Sequence, residues 1–195
     1  MEQSTLYLRL AERLRRIYKL SRAPRTLDEF GQSLVLRTTT HPRMGDFVQQ
    51  IKAGKAAIGE CGEKHGYSLT MADGCTVEVM CAYDALMTSV LQGKGNVHAG
   101  CAHCGEKMEV RIEGVKVSKS SPPSIVFWLG AGPQDAPGNP ICDHLHLFPN
   151  QEHLQAWLDS QRDELGVNMP LTEAVRFLAR SESNDRTLER RKEET

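Results

Sequence analysis

The stretch YSLTMADGCTVEVMCAYDALMTSVLQG, residues 67–93, contains the change of pattern on which the fold depends. Its first half predicts a β-hairpin, because two runs of strand-forming residues flank Asp73 and Gly74, a dipeptide typical of tight hairpin turns. Its second half predicts a helix over 82–91, which the glycines that follow bring to an end. The stretch therefore places Cys81 where a strand passes into a helix.

A cysteine and an aspartate stand together at this junction. A thiol at the N-terminus of a helix faces unpaired backbone amides and the positive end of the helix dipole, which favours the thiolate of Cys81. Asp84 lies three residues later on the same helix face, so its carboxyl group can reach the space around the sulfur. Such a pair supplies a nucleophile and a proton carrier. The same residues also fit a structural role, with Asp84 starting the helix and Cys81 as a small buried hydrophobe.

A second motif, ICDHLHLF at 141–148, follows a loop rich in glycine and proline. Alternation along a strand places Cys142, His144 and His146 on one face. One interpretation is a thiolate presented at a strand edge, with the imidazoles behind it. For the two histidines we favour a structural role, as hydrogen-bond partners of the backbone, because neither has a recognisable partner motif.

A third motif, GCAHCG, contains Cys101 and Cys104. A Cys-x-x-Cys-Gly knuckle between β segments is half of a typical zinc site. The spacing does not decide whether His98, Cys75 or Cys142 supplies a further ligand. Cys101 and Cys104 are therefore a candidate structural metal site, and a structural role as free thiols is the alternative.

The composition is that of an ordinary globular chain. It has 195 residues, of which 39% are hydrophobic and 25% charged, and its formal net charge of -1 gives no general attraction to nucleic acid or to anionic lipid. We expect a cytoplasmic protein that does not bind membranes, because residues 1–20 lack the features of a signal peptide and no apolar run could span a bilayer. The six cysteines are then expected to be free, metal-binding or catalytic rather than bridged.

The remaining pattern predicts an α+β fold, in which a small mixed or antiparallel sheet carries the cysteines and helices flank it at both ends. Beyond the first hairpin and the helix over 82–91, the pattern predicts a strand or a hairpin around Gly114 at 107–119 and strands at 124–129 and 145–148. It predicts helices at 4–20, 26–34, 151–164 and 171–180.

Two of the motifs together resemble those of the organomercurial (alkylmercury) lyase family. The run at 73–93 resembles the core motif of that family, and the matching residues are Cys81, Asp84, Leu86 and Met87. The run ICDHLHLF resembles the second catalytic cysteine motif, and the matching residues are Cys142, His144, His146 and Phe148. The order and separation of the motifs agree, and the resemblance covers roughly residues 68–180.

The resemblance implies a reaction in which Cys81 and Cys142 hold the mercury of an organomercurial substrate, because mercury prefers sulfur ligands. Asp84 would accept a proton from a thiol and deliver it to carbon as the carbon–mercury bond breaks. The products would be a hydrocarbon and Hg(II), the latter bound by both thiolates with Asp84 nearby. No other cofactor is expected, and a low-molecular-weight thiol or a mercuric reductase would accept the Hg(II).

Pattern and resemblance together divide the chain into an N-terminal helical region (1–66), a lyase-like catalytic core (67–181) and a disordered tail (182–195). The chain departs from the family pattern at Asp143, where a further cysteine often stands, and at Met80, where better-known members carry tryptophan. The knuckle also contains one cysteine more than the family pattern.

Two other functions fit parts of the sequence. A protein that sequesters or transfers a soft metal such as Hg, Cu or Zn would use the same cysteines, but it would not need a proton donor at Asp84. A regulatory domain stabilised by zinc at Cys101 and Cys104 would place the basic N-terminal helix on DNA. The sequence shows no second basic recognition helix, which argues against the regulatory domain.

Overall fold

The structure, a computed structural model, describes residues 66–131, 142–161 and 164–180, together with single residues at 11, 12, 15, 23, 26 and 29. The side chains at positions 131 and 142 lie outside this set. Most of the predicted N-terminal helical region and all of the predicted tail therefore lie outside the described residues. Thr26 does act as a helix N-cap, as predicted, since its Oγ1 accepts a hydrogen bond from the backbone N–H of Glu29 at 3.1 Å.

The first half of the core is a five-stranded antiparallel sheet with the strand order β2-β1-β3-β4-β5. Its strands are β1 (Tyr67–Met71), β2 (Thr76–Val79), β3 (Lys94–Gly100), β4 (Lys107–Glu113) and β5 (Lys116–Ser121). Asp73 Oδ1 accepts a hydrogen bond from the Cys75 amide, and Gly74 adopts a φ of 84° in the turn between β1 and β2. The predicted hairpin and its Asp-Gly turn are therefore confirmed.

The second half contains a three-stranded antiparallel sheet with the order β7-β6-β8. Its strands are β6 (Val126–Ala131), β7 (Leu145–Phe148) and β8 (Leu165–Pro170). The helices of the described core are α1 (Ala82–Leu91), α2 (Gln151–Ser160) and α3 (171–180). The α+β class is thus confirmed, with two separate antiparallel sheets in place of the single sheet that we predicted.

The helix α1 is buried along most of its length. Eight consecutive residues, Ala82 to Ser89, are buried, although an amphipathic surface helix would bury only the residues of one face. The helix contacts β1, β3 and β4 of the first sheet and β7 of the second, and its apolar residues belong to one continuous core with those of both sheets. Gly95 permits the close approach of β3, because a Cβ there would collide with Ser89.

A buried tyrosine joins the two sheets. The hydroxyl of Tyr67, on β1, accepts a hydrogen bond of 3.0 Å from the backbone N–H of Leu147, on β7. Within the second sheet β7 pairs only with β6, so this bond satisfies an amide that the sheet itself leaves free. Tyr67 is only 2% exposed, and burial raises the pKa of its hydroxyl well above the ordinary value. The bond therefore fixes the position of β7 relative to the first sheet.

Three predictions of local structure were wrong. The strands β3 and β8 were missed, because glycine and asparagine in KGNVHAG and LGVNMP weaken the strand pattern and pairing with neighbouring strands decides the conformation. The helix predicted over 151–164 ends at Ser160, beyond which Gln161 is extended. The strand predicted to carry Cys142 begins only at Leu145, as described below.

Among the described residues, no helix combines the length and the apolar run that crossing a bilayer would require.

We expect Tyr67→Phe to lower the free energy of unfolding by about 1 to 3 kcal/mol, because the Leu147 amide would be left buried without a partner. The matched control is Tyr83→Phe, since Tyr83 is also buried but its hydroxyl has no hydrogen-bond partner among the described residues. Removing that hydroxyl should leave stability unchanged or raise it slightly. Urea unfolding of the two variants checks the difference, and equal destabilisation would contradict the role given to Tyr67.

Candidate active site

Cys81 occupies the N-cap position of α1. Its backbone is extended, with a φ of -156°, and its carbonyl accepts a hydrogen bond from the Ala85 amide at 3.1 Å. The side chain is completely buried, and it makes no hydrogen bond to the first amides of the helix. The expected effect of the helix N-terminus on the Cys81 thiolate therefore stays a prediction, without a capping hydrogen bond from the side chain.

A hydrogen-bond partner of the Cys81 side chain is Asp84, in the first turn of the same helix. The Cys81 thiol donates a hydrogen bond to the Asp84 carboxylate, as the spacing of three residues predicted. Asp84 is only 4% exposed, and burial raises its pKa from 3.8 to about 6, while the hydrogen bond from Cys81 limits the rise. The structure thus brings together a thiol and a carboxyl whose pKa lies near neutrality.

Tyr83 adds a hydroxyl group that the sequence did not single out. Burial raises the pKa of Tyr83 far above its ordinary value, and the nearby Asp84 and Cys81 raise it further, so the hydroxyl stays protonated. Its oxygen is buried and has no hydrogen-bond partner among the described residues. A buried hydroxyl of this kind is a donor available to a bound molecule. No sequence signal indicated it, since the absence of a partner is a property of the packing.

Cys142 begins a short 3₁₀ turn, Cys142–His144, immediately before β7. The residues predicted to alternate along one strand face are therefore divided between this turn and the strand. The turn leads into β7, which contacts α1, the helix that begins directly after Cys81. The side chain of Cys142 is outside the described set, and its meeting with Cys81 stays a prediction.

The turn is held by both histidines of the motif. His146 Nε2 lies 2.7 Å from the carbonyl oxygen of Asp143, which confirms the structural role predicted for this histidine. His144 Nδ1 lies 2.8 Å from Glu164 Oε2, although at an angle unsuited to a hydrogen bond. Glu164 Oε1 in turn accepts a hydrogen bond of 3.1 Å from Trp128 Nε1. His144 therefore has a carboxylate partner rather than the backbone partner that we predicted.

Gly130 makes this arrangement possible. A Cβ at Gly130 would collide with Glu164 Oε1 and with Trp128 Nε1, and it would lie 2.7 Å from the carbonyl oxygen of His144. Glu164 is the last residue of the segment that was predicted as helix, and its position beside the turn could not be read from spacing. It positions the segment that carries Cys142 and is itself almost completely buried.

The cysteines of the knuckle lie in a different place. Cys101 and Cys104 approach His153, in the first turn of α2, and all three ligand atoms lie within 4.8 Å of one another. None of the partners considered from the sequence joins this group among the described side chains. His153 was missed because it lies 49 residues beyond Cys104 along the chain. Neither Cys81 nor Asp84 belongs to this cluster.

Among the described cysteines, Cys75, Cys101 and Cys104 form no disulfide.

Comparison with solved structures finds a similar fold in a crystal structure of the mercury-bound form of MerB2. The two chains are 22% identical, the match covers 90% of this chain and 97% of that one, and the TM-score is 0.52. No curated protein sequence matches this chain.

Comparison with models of protein families gives a match to MerB, the alkylmercury lyase model, over residues 62–181. This region includes both cysteine motifs, the buried pair Cys81 and Asp84, the turn of Cys142, and both sheets. It amounts to more than half of the chain. The chain therefore belongs to the alkylmercury lyase family.

Proposed function

We propose that this protein cleaves the carbon–mercury bond of alkyl- or arylmercury by protonolysis, with Cys81, Cys142 and Asp84 as the reacting groups. The single observation that carries the assignment of residues is the hydrogen bond from the buried Cys81 thiol to the buried Asp84 carboxylate. A protein that only binds a soft metal would need thiolates, and it would gain nothing from burying a carboxyl group beside one of them. Burial of a carboxylate is costly, which argues for a chemical role.

The first step is the capture of mercury. The thiol of Cys81 passes its proton to Asp84 along the existing hydrogen bond, and the resulting thiolate bonds to the mercury of R–Hg⁺. The thiol of Cys142 loses its proton to solvent and supplies the second sulfur ligand. Thiolates are the preferred ligands of this soft metal, and two of them raise the electron density on the carbon that must be protonated.

The second step is the transfer of the proton. The Asp84 carboxylic acid donates its proton to the carbon, and the electron pair of the Hg–C bond becomes the new C–H bond. The products are the hydrocarbon R–H and Hg(II) held by the two thiolates. A pKa of about 6 suits both halves of this cycle, because the carboxylate can accept a thiol proton and the acid can release it near neutral pH.

The surroundings of the pair support this chemistry. Cys81 and Asp84 are buried, so water competes little for the proton. The neutral hydroxyl of Tyr83 is buried close by and can donate a hydrogen bond to the carboxylate once the proton has left. The departing Hg(II) would pass to a low-molecular-weight thiol or to a mercuric reductase, since a two-thiolate complex exchanges its metal by attack of a further thiol.

We expect Asp84→Asn to reduce hydrocarbon release by at least about 100-fold, the usual scale of acid–base catalysis, while stoichiometric mercury binding is kept. Cys81→Ser and Cys142→Ser should lose both. The matched control is Cys75→Ser, which removes an exposed thiol from the turn between β1 and β2 and should behave as wild type. The measurement is benzene formed from phenylmercury in excess thiol, with bound mercury counted separately.

Full activity of Asp84→Asn would overturn the role of the carboxyl group. A wild-type protein that retains mercury but releases no benzene would instead be a soft-metal binding protein.

We expect kcat/KM to fall as the pH is lowered through about 6, because protonation of Asp84 in the free enzyme removes the acceptor for the thiol proton. This fall in kcat/KM at low pH should be separate from the change that thiol ionisation causes at higher pH. The apparent pKa of the fall belongs to the Cys81–Asp84 pair as a unit. Values of kcat/KM measured between pH 4 and pH 9 (a range of about five units) check this expectation. A fall near pH 4, the value of an exposed aspartate, would contradict the burial argument.

The same burial predicts a stability effect. The folded-state pKa of Asp84 lies above 3.8, so the ionised carboxylate destabilises the fold above pH 6 and the penalty disappears as the pH falls below 3.8. We expect Asp84→Asn to be more stable than wild type at pH 8 by about 1 to 3 kcal/mol, and the difference to shrink at low pH. Urea unfolding at both pH values measures it, and a variant destabilised equally at both would disprove the linkage.

A further inference from the structure

A second group of metal-binding side chains lies at the end of β3, apart from the reacting residues. Cys101 and Cys104 belong to the loop between β3 and β4, whereas His153 belongs to α2 beside the second sheet. His153 Nδ1 lies 3.4 Å from the sulfur of Cys104 and 3.7 Å from that of Cys101. Two parts of the fold thus direct ligand atoms at one point.

The separations match those of a tetrahedral metal site. With Zn–S bonds of about 2.3 Å and Zn–N bonds of about 2.0 to 2.1 Å, tetrahedral angles place sulfur and nitrogen ligands about 3.6 Å apart. The observed distances of 3.4 and 3.7 Å lie on either side of this value. The two sulfur–nitrogen separations therefore suit a zinc ion, and all three ligand atoms lie within 4.8 Å of one another.

The backbone of the loop is folded as a metal knuckle. The Cys101 amide bonds to the Glu106 carbonyl at 2.9 Å, and the Gly105 amide bonds to the Cys101 carbonyl at 2.8 Å. Gly105 has a φ of 77°, a conformation that favours glycine. Backbone amides of His103 and Cys104 donate hydrogen bonds to the Cys101 sulfur. Amides directed at a sulfur stabilise a thiolate, the form that binds metal.

The imidazole is oriented for the same purpose. Its Nδ1 faces the two sulfurs, while its Nε2 lies 3.7 Å from Glu106 Oε2. A carboxylate thus lies on the side of the distal nitrogen, where metal-binding histidines commonly have a carboxylate neighbour. The Asn150 side chain caps α2, because it accepts a hydrogen bond of 3.0 Å from the backbone N–H of His153. This bond fixes the start of the helix.

We propose that Cys101, Cys104 and His153 form a zinc site that is separate from the reacting residues and that ties the loop of the first sheet to α2. The fourth coordination position faces solvent, because Cys104 is exposed, and a water molecule would occupy it. The site would stabilise the arrangement of the two sheets between which α1 is buried. It does not depend on the lyase reaction, since it shares no residue with the Cys81–Asp84 pair.

Zinc content tests the proposal directly. When the full-length protein is produced with zinc and dialysed, it should contain one equivalent of zinc. Elemental mass spectrometry measures this content. Cys104→Ser and His153→Ala should lose it, whereas the controls Cys75→Ser and Cys81→Ser should keep it. Absence of zinc from the wild type, or equal zinc in Cys104→Ser, would overturn the proposal and leave only a thiol–imidazole hydrogen bond.

A second measurement on the wild type does not depend on the folding of variants. Removal of zinc by a chelator should lower the melting temperature, and added zinc should restore it. Cobalt(II) added to the metal-free protein should give thiolate-to-cobalt charge-transfer absorption and the intense visible bands of a tetrahedral site. A weak spectrum typical of octahedral cobalt, or an unchanged melting temperature, would contradict the zinc site. Benzene release from phenylmercury tests the lyase reaction separately.

Discussion

The burial of α1 between two sheets is the constraint on which the candidate active site depends. Because the helix contacts both sheets, its first turn has little access to water, and Asp84 lies in a largely apolar environment. A carboxylate in such a place is costly, which is why its pKa rises to about 6. Among the described residues, the hydrogen bond from the Cys81 thiol offsets part of this cost. The packing of one helix thus sets both the partner and the proton affinity of the carboxyl group.

The second sheet follows directly on the turn that contains Cys142. Its edge strand β7 is fixed to the first sheet by the Tyr67 hydroxyl, and the turn before that strand is held through His144 and Glu164. Glu164 accepts a hydrogen bond from Trp128, and a Cβ at Gly130 would collide with both side chains. Glu164 and Trp128, which lie beside the turn of Cys142, are therefore distant in sequence from the Cys81 motif. This arrangement suits a reaction in which two sulfurs must meet one metal atom.

The chain contains two groups of soft ligands with different chemical partners. Cys81 is paired with a carboxylate, which can carry a proton to and from a bound molecule. Cys101 and Cys104 are paired with an imidazole that is oriented by a further carboxylate, which favours permanent coordination. The difference in partners gives a physical reason for assigning chemistry to the first group and a structural metal to the second.

Much of the local structure could be predicted from the sequence, because it depends on neighbouring residues. The Asp-Gly hairpin, the helix over 82–91 and the strand over 145–148 were predicted with correct or nearly correct bounds. The three-residue spacing of Cys81 and Asp84 also determined their contact, since one helical turn brings such positions together. The strands β3 and β8 could not be predicted, because their weakly strand-forming residues are held by partners on neighbouring strands.

The sequence by itself thus determined the motifs, the family resemblance and the pairing of a thiol with a carboxyl group. Only the tertiary structure decided which groups are buried, and hence that the Asp84 pKa is raised and that the Tyr83 hydroxyl lacks a partner among the described residues. It also decided that His153 joins Cys101 and Cys104. Contacts of this kind join residues that lie far apart in the chain, and only the packing of sheets and helices brings them together. The sequence therefore shows no periodic pattern from which they could be predicted.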